Sequence, residues 1–178
     1  MKTEIPDLSS QQVVRILVFS DSHGRLDFMR RCVAKHPEVD LVVHLGDLCS
    51  SYGDLAGLLK KPLAAVAGNC DGSLYGSQLP NLLVLNLAGW RFLATHGHLY
   101  GVKQQFGALL DAAAAQPQPI DVILFGHTHQ MLDRTIDWHG RKFLLLNPGN
   151  SRGGMMAPAS ALFLVINPLG ISRRHLLD

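Results

Sequence analysis

Val13-Val14-Arg15-Ile16-Leu17-Val18-Phe19-Ser20-Asp21-Ser22-His23 begins with β-branched and large apolar residues broken only by Arg15, then turns abruptly polar. A near-continuous apolar run of this length reads as a strand covered on both faces. The same design recurs twice downstream: Val39–Leu45 runs into Gly46-Asp47, and Leu63–Ala67 runs into Gly68-Asn69-Cys70-Asp71. Between the first two runs, Arg25–His36 places Leu26, Met29, Val33 and His36 at three- and four-residue steps, the spacing of one helix face. Asp54–Lys60 is a weaker helix, interrupted by Gly57. This β-α-β-α-β order predicts a partly parallel sheet with helical crossovers.

The second half of the chain changes character. Leu82–Leu87 and Arg91–Thr95 flank Ala88-Gly89-Trp90 and read as a hairpin. Val102–Ala115 reads as a helix stopped by Pro117 and Pro119, and Ile120–Phe125 as a buried strand. Met131–Asp137 with Lys142–Leu146, and Ala161–Ile166 with Ile171–Leu176, read as two further hairpins around turn-forming residues. The expected fold is α/β: a four-layer α/β/β/α sandwich, with two mixed β-sheets packed face to face and helices outside. It forms one domain over residues 1–178, with a polar N-terminal tail at 1–12. The intervals between Asn69, His96 and His127 leave no room for a cap domain, so the expected site is open.

With 178 residues, 47% hydrophobic and 17% charged, the composition is that of a globular protein that needs no disulfides to fold. The formal net charge of +2 is too small to grip duplex nucleic acid or a membrane surface. Cys32, Cys49 and Cys70 make an odd count without CxxC spacing, which favours a reducing cytoplasm over a disulfide framework. Met1–Gln12 lacks the apolar core of a signal peptide, and no apolar run reaches membrane-spanning length.

Polar residues gather where these runs end. To the three already quoted, Arg91–Thr95 adds His96-Gly97-His98 and Ile120–Phe125 adds Gly126-His127-Thr128-His129. In α/β sheets ligands bind beyond the carboxyl ends of the strands, so groups placed there converge although they are distant in sequence. Asp, His and Asn without thiolates suit Mn, Fe, Co, Ni, Zn or Mg and argue against a closed structural zinc site. Asp47 is the candidate bridge between two ions, because each carboxylate oxygen can serve one of them.

Asp-x-His, Gly-Asp, Gly-Asn-x-Asp, His-Gly-His and Gly-His-x-His occur here in that order. This series resembles the five motifs of the calcineurin-like metallophosphoesterase superfamily. The short length, Gly68-Asn69-Cys70-Asp71, Thr95-His96-Gly97-His98 and Asn147-Pro148-Gly149 resemble its compact prokaryotic phosphodiesterase subfamily. The resemblance implies that Asp21, His23 and His129 bind one metal, that Asn69, His96 and His127 bind a second, and that Asp47 bridges them. It further implies two divalent ions, manganese first among them, and hydrolysis of a small phosphodiester by a hydroxide held between the ions. Many members carry histidine where this chain has Cys70, and that histidine is the usual candidate proton donor. Cys70 and His98 are the candidates for a catalytic role here. The alternative is a scaffold of the same fold, non-catalytic or weakly catalytic, that binds protein partners. Complete retention of the ligand positions favours the enzyme.

Other residues invite plainer readings. His44 sits mid-strand as a satisfied core histidine; His139 and His175 lie at the surface, and His36 stands outside the motifs. Asp71 braces its loop. Cys32 and Cys49 are small buried hydrophobes. Asn147-Pro148-Gly149-Asn150 is a tight turn, and Arg30-Arg31 and Arg173-Arg174 are solvated basic pairs. The aliphatic stretch Leu79–Leu87 is either core or the contact of a homo-oligomer.

Overall fold

The computed structural model describes residues 5–50, 52–72, 79–154 and 157–178. Strands β1 (Val14–Phe19), β2 (Leu41–His44), β3 (Leu63–Ala65), β9 (Ser160–Asn167) and β10 (Gly170–Leu177) form one sheet in the order β10-β9-β1-β2-β3. Strands β4 (Leu82–Leu87), β5 (Trp90–Thr95), β6 (Val122–Phe125), β7 (Met131–Trp138) and β8 (Arg141–Pro148) form the other, in the order β4-β5-β6-β8-β7. Both sheets are mixed: β1, β2 and β3 run parallel, as do β5, β6 and β8, while β9 is antiparallel to both β1 and β10, β4 to β5, and β7 to β8.

Alternation along each strand divides the apolar residues among three layers. Val14, Ile16 and Val18 of β1 face the other sheet and meet Phe92, Ala94, Val122, Leu124 and Leu146. Leu17 and Phe19 point the opposite way, under helices α1 (Asp27–Lys35) and α2 (Tyr52–Leu59). Leu93, Ile123, Phe125, Phe143 and Leu145 pack under helix α3 (Gly107–Ala114) on the far side. The central strands are thus covered on both faces, which is why their sequences are mostly apolar. The layering α/β/β/α is the one expected.

Several boundaries differ from the sequence reading. The second crossover region yields a helix only from Gly107, not from Val102. His98–Tyr100 is instead a short 3₁₀ turn flanked by Gly97 and Gly101 in left-handed conformation, so Val102 reaches the core from a turn. Two hairpins are tighter than expected. Their loops are Ala88-Gly89 and His139-Gly140, with positive φ at both positions of each, and Trp90 and Trp138 belong to the strands. Asn147 and Pro148 end β8 rather than forming a free turn. Part of the polar N-terminal segment is docked: Leu8 is buried, bridges Leu87, and accepts the Ala88 amide; residues 1–4 lie outside the described ones. Leu85 and Leu87 belong to the core, whereas Val84 is exposed on the edge strand. Among the described residues, no helix is long and apolar enough to cross a membrane.

Candidate metal centre

The loops after β1 and β2 are fastened to each other by their backbones. The amides of Asp21, His23 and Gly24 donate to the carbonyls of Gly46, Asp47 and Leu48 at 3.0, 2.9 and 2.8 Å. This extends the parallel ladder past the strand ends and sets Asp21 and Asp47 side by side. Asp21, His23, Asp47, Cys49, His127 and His129 all adopt positive φ, between 44° and 66°. For residues with a Cβ this conformation is costly, and such strain is held where surrounding structure enforces it, commonly at functional sites.

The glycines that precede Asp47, Asn69 and His127 are required by space. A Cβ on Gly68 would lie 2.2 Å from the backbone nitrogen and Oδ1 of Asp47. One on Gly46 would meet Gly68 nitrogen at 2.7 Å, and one on Gly126 would meet Ser20 Oγ at 1.9 Å. Close approach of three loops thus excludes any larger residue at these positions.

All seven predicted ligand residues come together. Ligand atoms of Asp21, His23 and His129 lie within 4.8 Å of one another, as do those of Asp21, Asp47 and His96. Asp47 faces both sides: Oδ2 is 3.9 Å from Nε2 of His23, and Oδ1 is 3.6 Å from Nε2 of His96. The His23 and His129 rings lie 5.9 Å apart, and the His96 and His127 rings 5.0 Å. Nε2 of His96 is 3.1 Å from Oδ1 of Asn69.

The electrostatics suit a cation. Oδ1 of Asp21 is wholly buried and has no hydrogen-bond partner among the described residues, although Nε2 of His129 lies 3.1 Å from it. Oδ2 of the same carboxylate is held by the Ser20 hydroxyl at 2.6 Å and the His127 amide at 3.1 Å. Nδ1 of His96 donates to the Leu45 carbonyl at 2.7 Å, which leaves Nε2 to turn its lone pair inward. Burial pushes the Asp47 carboxyl upward, but the Cys70 amide at 2.7 Å and nearby His96 outweigh that and hold it below the ordinary range. Burial, with His96 beside it, pushes His127 down to about 4, so its imidazole is neutral near pH 7. The residues present therefore fit divalent ions: carboxylate and amide oxygens and imidazole nitrogens are the ligands such ions take, and Oδ1 of Asp21 is buried there without a hydrogen-bond partner among the described residues.

Of the two candidate catalytic residues, His98 stands 5.2 Å from the His96 ring and 6.1 Å from that of His127. Its Nδ1 is buried without a partner among the described residues, and burial lowers its pKa. Cys70 lies on the Asp47 side. Partial burial of its sulfur, then the Asp47 carboxylate, push the thiol up to about 11, and its Sγ accepts from Asn69 Nδ2 at 3.2 Å.

Around these lie residues the sequence reading left out or placed differently. Asn147 is fully buried and donates to the Gly126 carbonyl and Thr128 Oγ1, bracing the His127–His129 turn. Buried Ser151 exchanges hydrogen bonds with the Ser20 backbone. Cys49 is not a buried hydrophobe: it is half-buried, with Sγ 3.7 Å from Nδ1 of His23. His175 is not free at the surface either, but lies 2.9 Å from the Asn147 carbonyl, to which its Nε2–H donates. Asp71 braces its loop as expected, accepting the amides of Cys49 and Gly68 at 2.8 Å each. His44 is the expected core histidine, receiving the Gly46 amide at Nδ1 and donating from Nε2 to Ser22 Oγ. His139 is exposed, and His36 stacks on Phe163 with ring centres 4.6 Å apart. Arg31 and Arg173 are exposed but paired, with Asp178 and Asp133.

The sequence model of the calcineurin-like phosphoesterase superfamily domain matches residues 14–167. The chain belongs to this superfamily. The probable metallophosphoesterase YsnB of Bacillus subtilis is 35% identical over 141 residues, covering 78% of this chain and 76% of that protein. The phosphodiesterase MJ0936 of Methanocaldococcus jannaschii is 24% identical over 155 residues, covering 79% and 86%. A crystal structure of a predicted phosphoesterase from Streptococcus pneumoniae superposes with a TM-score of 0.72 at 25% identity, covering 93% of this chain and 90% of that one. Phosphoester hydrolysis with metal ions is the chemistry of this superfamily, and the converging oxygens and imidazoles described above suit it.

Proposed function

We propose that this calcineurin-like phosphoesterase hydrolyses small phosphodiesters with two divalent cations. The observation that carries the reading is Asp47, whose two oxygens face separate histidines on opposite sides. Asp21, His23 and His129 would hold one ion, Asn69, His96 and His127 the other, with Asp47 shared. Ions held there supply positive charge to the phosphoryl oxygens and acidify water. Manganese suits this oxygen and imidazole set, as do Ni, Mg, Fe, Co and Zn.

The chain's own groups do the rest. The Leu45 carbonyl fixes the His96 tautomer, and Ser20 with the His127 amide fixes the direction of Asp21. His98, neutral near pH 7, offers a nitrogen to substrate on the His96 side. Cys70, protonated at that pH, offers a weak donor on the other. The diester preference rests on Cys70 standing where the superfamily commonly has histidine: without an imidazolium there, a dianionic monoester is the harder substrate. A partner-binding scaffold of the same fold would have no use for strained, inward-turned ligand residues. The reading is tested by metal analysis of the purified protein, coupled to assays on nitrophenyl mono- and diesters with added Mn, Ni or Mg. Protein that binds metal but turns over no phosphoester would overturn it.

A further inference from the structure

None of the seven ligand residues carries sulfur, yet the fold brings two thiols against them. Ligand atoms of His23, Asp47 and Cys70 lie within 4.8 Å of one another, a triangle of nitrogen, oxygen and sulfur. This triangle shares His23 and Asp47 with the centre described above and adds a donor of different chemistry. Cys70 is exposed, so ions in solvent can reach its sulfur. Asn69 Nδ2 donates to that sulfur at 3.2 Å, and the Cys70 amide donates to Asp47 Oδ1 at 2.7 Å. These two bonds keep the thiol on the Asp47 side of the loop.

Cys49 ties the triangle together. Its thiol donates to the Cys70 carbonyl at 3.7 Å, and its sulfur lies 3.7 Å from Nδ1 of His23. Nε2 of the same ring is 3.9 Å from Asp47 Oδ2. With Nδ1–H turned to the Cys49 sulfur, Nε2 keeps its lone pair for the Asp47 side. Asp71 accepts the amides of Cys49 and Gly68 at 2.8 Å each, which fastens the Cys49 loop to the loop of Asn69 and Cys70. One connected set of hydrogen bonds therefore positions both His23 and Cys70.

We propose that Cys70 is a further metal ligand, used by thiophilic cations such as zinc and cadmium, and that with His23 and Asp47 it completes a site that harder ions fill without it. The inference rests on the reading of this cluster as a metal centre and gives it an eighth ligand. Carboxylate and amide oxygens suit manganese and magnesium, whereas thiolate favours softer ions. On ligation the Cys70 S–H bond breaks, the sulfur donates its electron pair to the cation, and the proton passes to solvent. A Cys70 committed to an ion has no proton to offer substrate. The identity of the bound cation thereby decides whether this thiol acts as ligand or as donor.

Cobalt(II) stands in for zinc in the test, because a thiolate bound to it gives a near-ultraviolet charge-transfer band that oxygen and nitrogen ligands do not give. The full-length protein titrated with cobalt is expected to show the band, Cys70→Ser to lose it and Cys49→Ser to keep it. Zinc affinity, read by competition with a chromophoric chelator, is expected to fall about 10–100-fold in Cys70→Ser, with manganese affinity changed less than about threefold. Cobalt uptake without the band, a band that survives Cys70→Ser, or equal loss of zinc and manganese affinity in that variant overturns the sulfur ligand and leaves the metal centre in place. Protein that takes up none of the three ions overturns the metal centre itself, and the sulfur ligand with it.

Discussion

Nε2 of His96 lies 3.1 Å from Oδ1 of Asn69, with Nδ1 of the same ring already committed to the Leu45 carbonyl at 2.7 Å. A cation placed between these two atoms would meet an amide oxygen and an imidazole nitrogen, both ordinary ligands for divalent ions. His96→Ala is therefore expected to reduce bound metal. Metal content by atomic emission checks it, and an unchanged load would remove His96 from the ligand set.

Asp47→Asn is expected to lower turnover at least about 100-fold and to reduce bound metal, because a neutral amide is a poor ligand for two cations. The fold should persist, since the three core layers do not include this side chain. Metal content by atomic emission and kcat on an activated diester, measured together, check it. Full turnover with a normal metal load would exclude Asp47 as the shared ligand.

Gly68 and Gly57 should respond in opposite directions. An alanine Cβ at 68 falls on Asp47, whereas at 57 it meets nothing within 4 Å on the exposed side of α2. Gly68→Ala is expected to displace Asp47 and abolish most activity. Gly57→Ala should raise stability by roughly 0.5–1 kcal/mol with activity unchanged, since alanine loses less backbone entropy in a helix. Chemical denaturation and a diester assay on both variants give the comparison.

Cys70 carries a prediction about substrates. Its thiol, pushed up to about 11, stays protonated near pH 7 but is a weak donor. General-acid assistance contributes about 10²–10⁴-fold where it operates, and least with an activated leaving group. Wild-type enzyme should therefore turn over a nitrophenyl diester faster than the matching monoester, and Cys70→His should narrow the gap. Faster monoester turnover by the wild type, under the same metal and pH, contradicts the diester reading.

His44 makes stability depend on pH. Complete burial pushes its imidazole down to about 4, whereas an unfolded histidine titrates at about 6.5. Between those values the unfolded chain holds a proton that the native protein lacks, so stability falls as pH drops through that window. The loss assignable to this ring is on the order of 3 kcal/mol at its limit. Denaturation curves from about pH 7 to 4 should be flatter for His44→Gln than for wild type. Parallel curves would mean that His44 is charged in the native state.

The convergence of Asp21, His23, Asp47, Asn69, His96, His127 and His129 was legible in the sequence because each follows the end of an apolar run, and a strand's carboxyl end is where a sheet of this kind places its site. Asn147 and Ser151 were not. Nothing local distinguishes a buried asparagine that braces the Gly126–Thr128 turn from one shaping a loop, and the partners are 21 and 19 residues away. Ser151 meets Ser20 across 131 residues. The start of α3 was misplaced because Val102 keeps helical spacing while Gly97 and Gly101 turn the chain instead.

By itself, the sequence determined the strands, their two-sided burial, the layered architecture and the convergence of seven Asp, Asn and His residues, since periodicity and the ends of apolar runs are local properties. Only the tertiary structure decided the strained backbone at Asp21, His23, Asp47, His127 and His129 and the Cβ-free contacts of Gly46, Gly68 and Gly126. The reason is physical: each depends on the approach of loops distant in sequence, and such distances are fixed only when the two sheets pack.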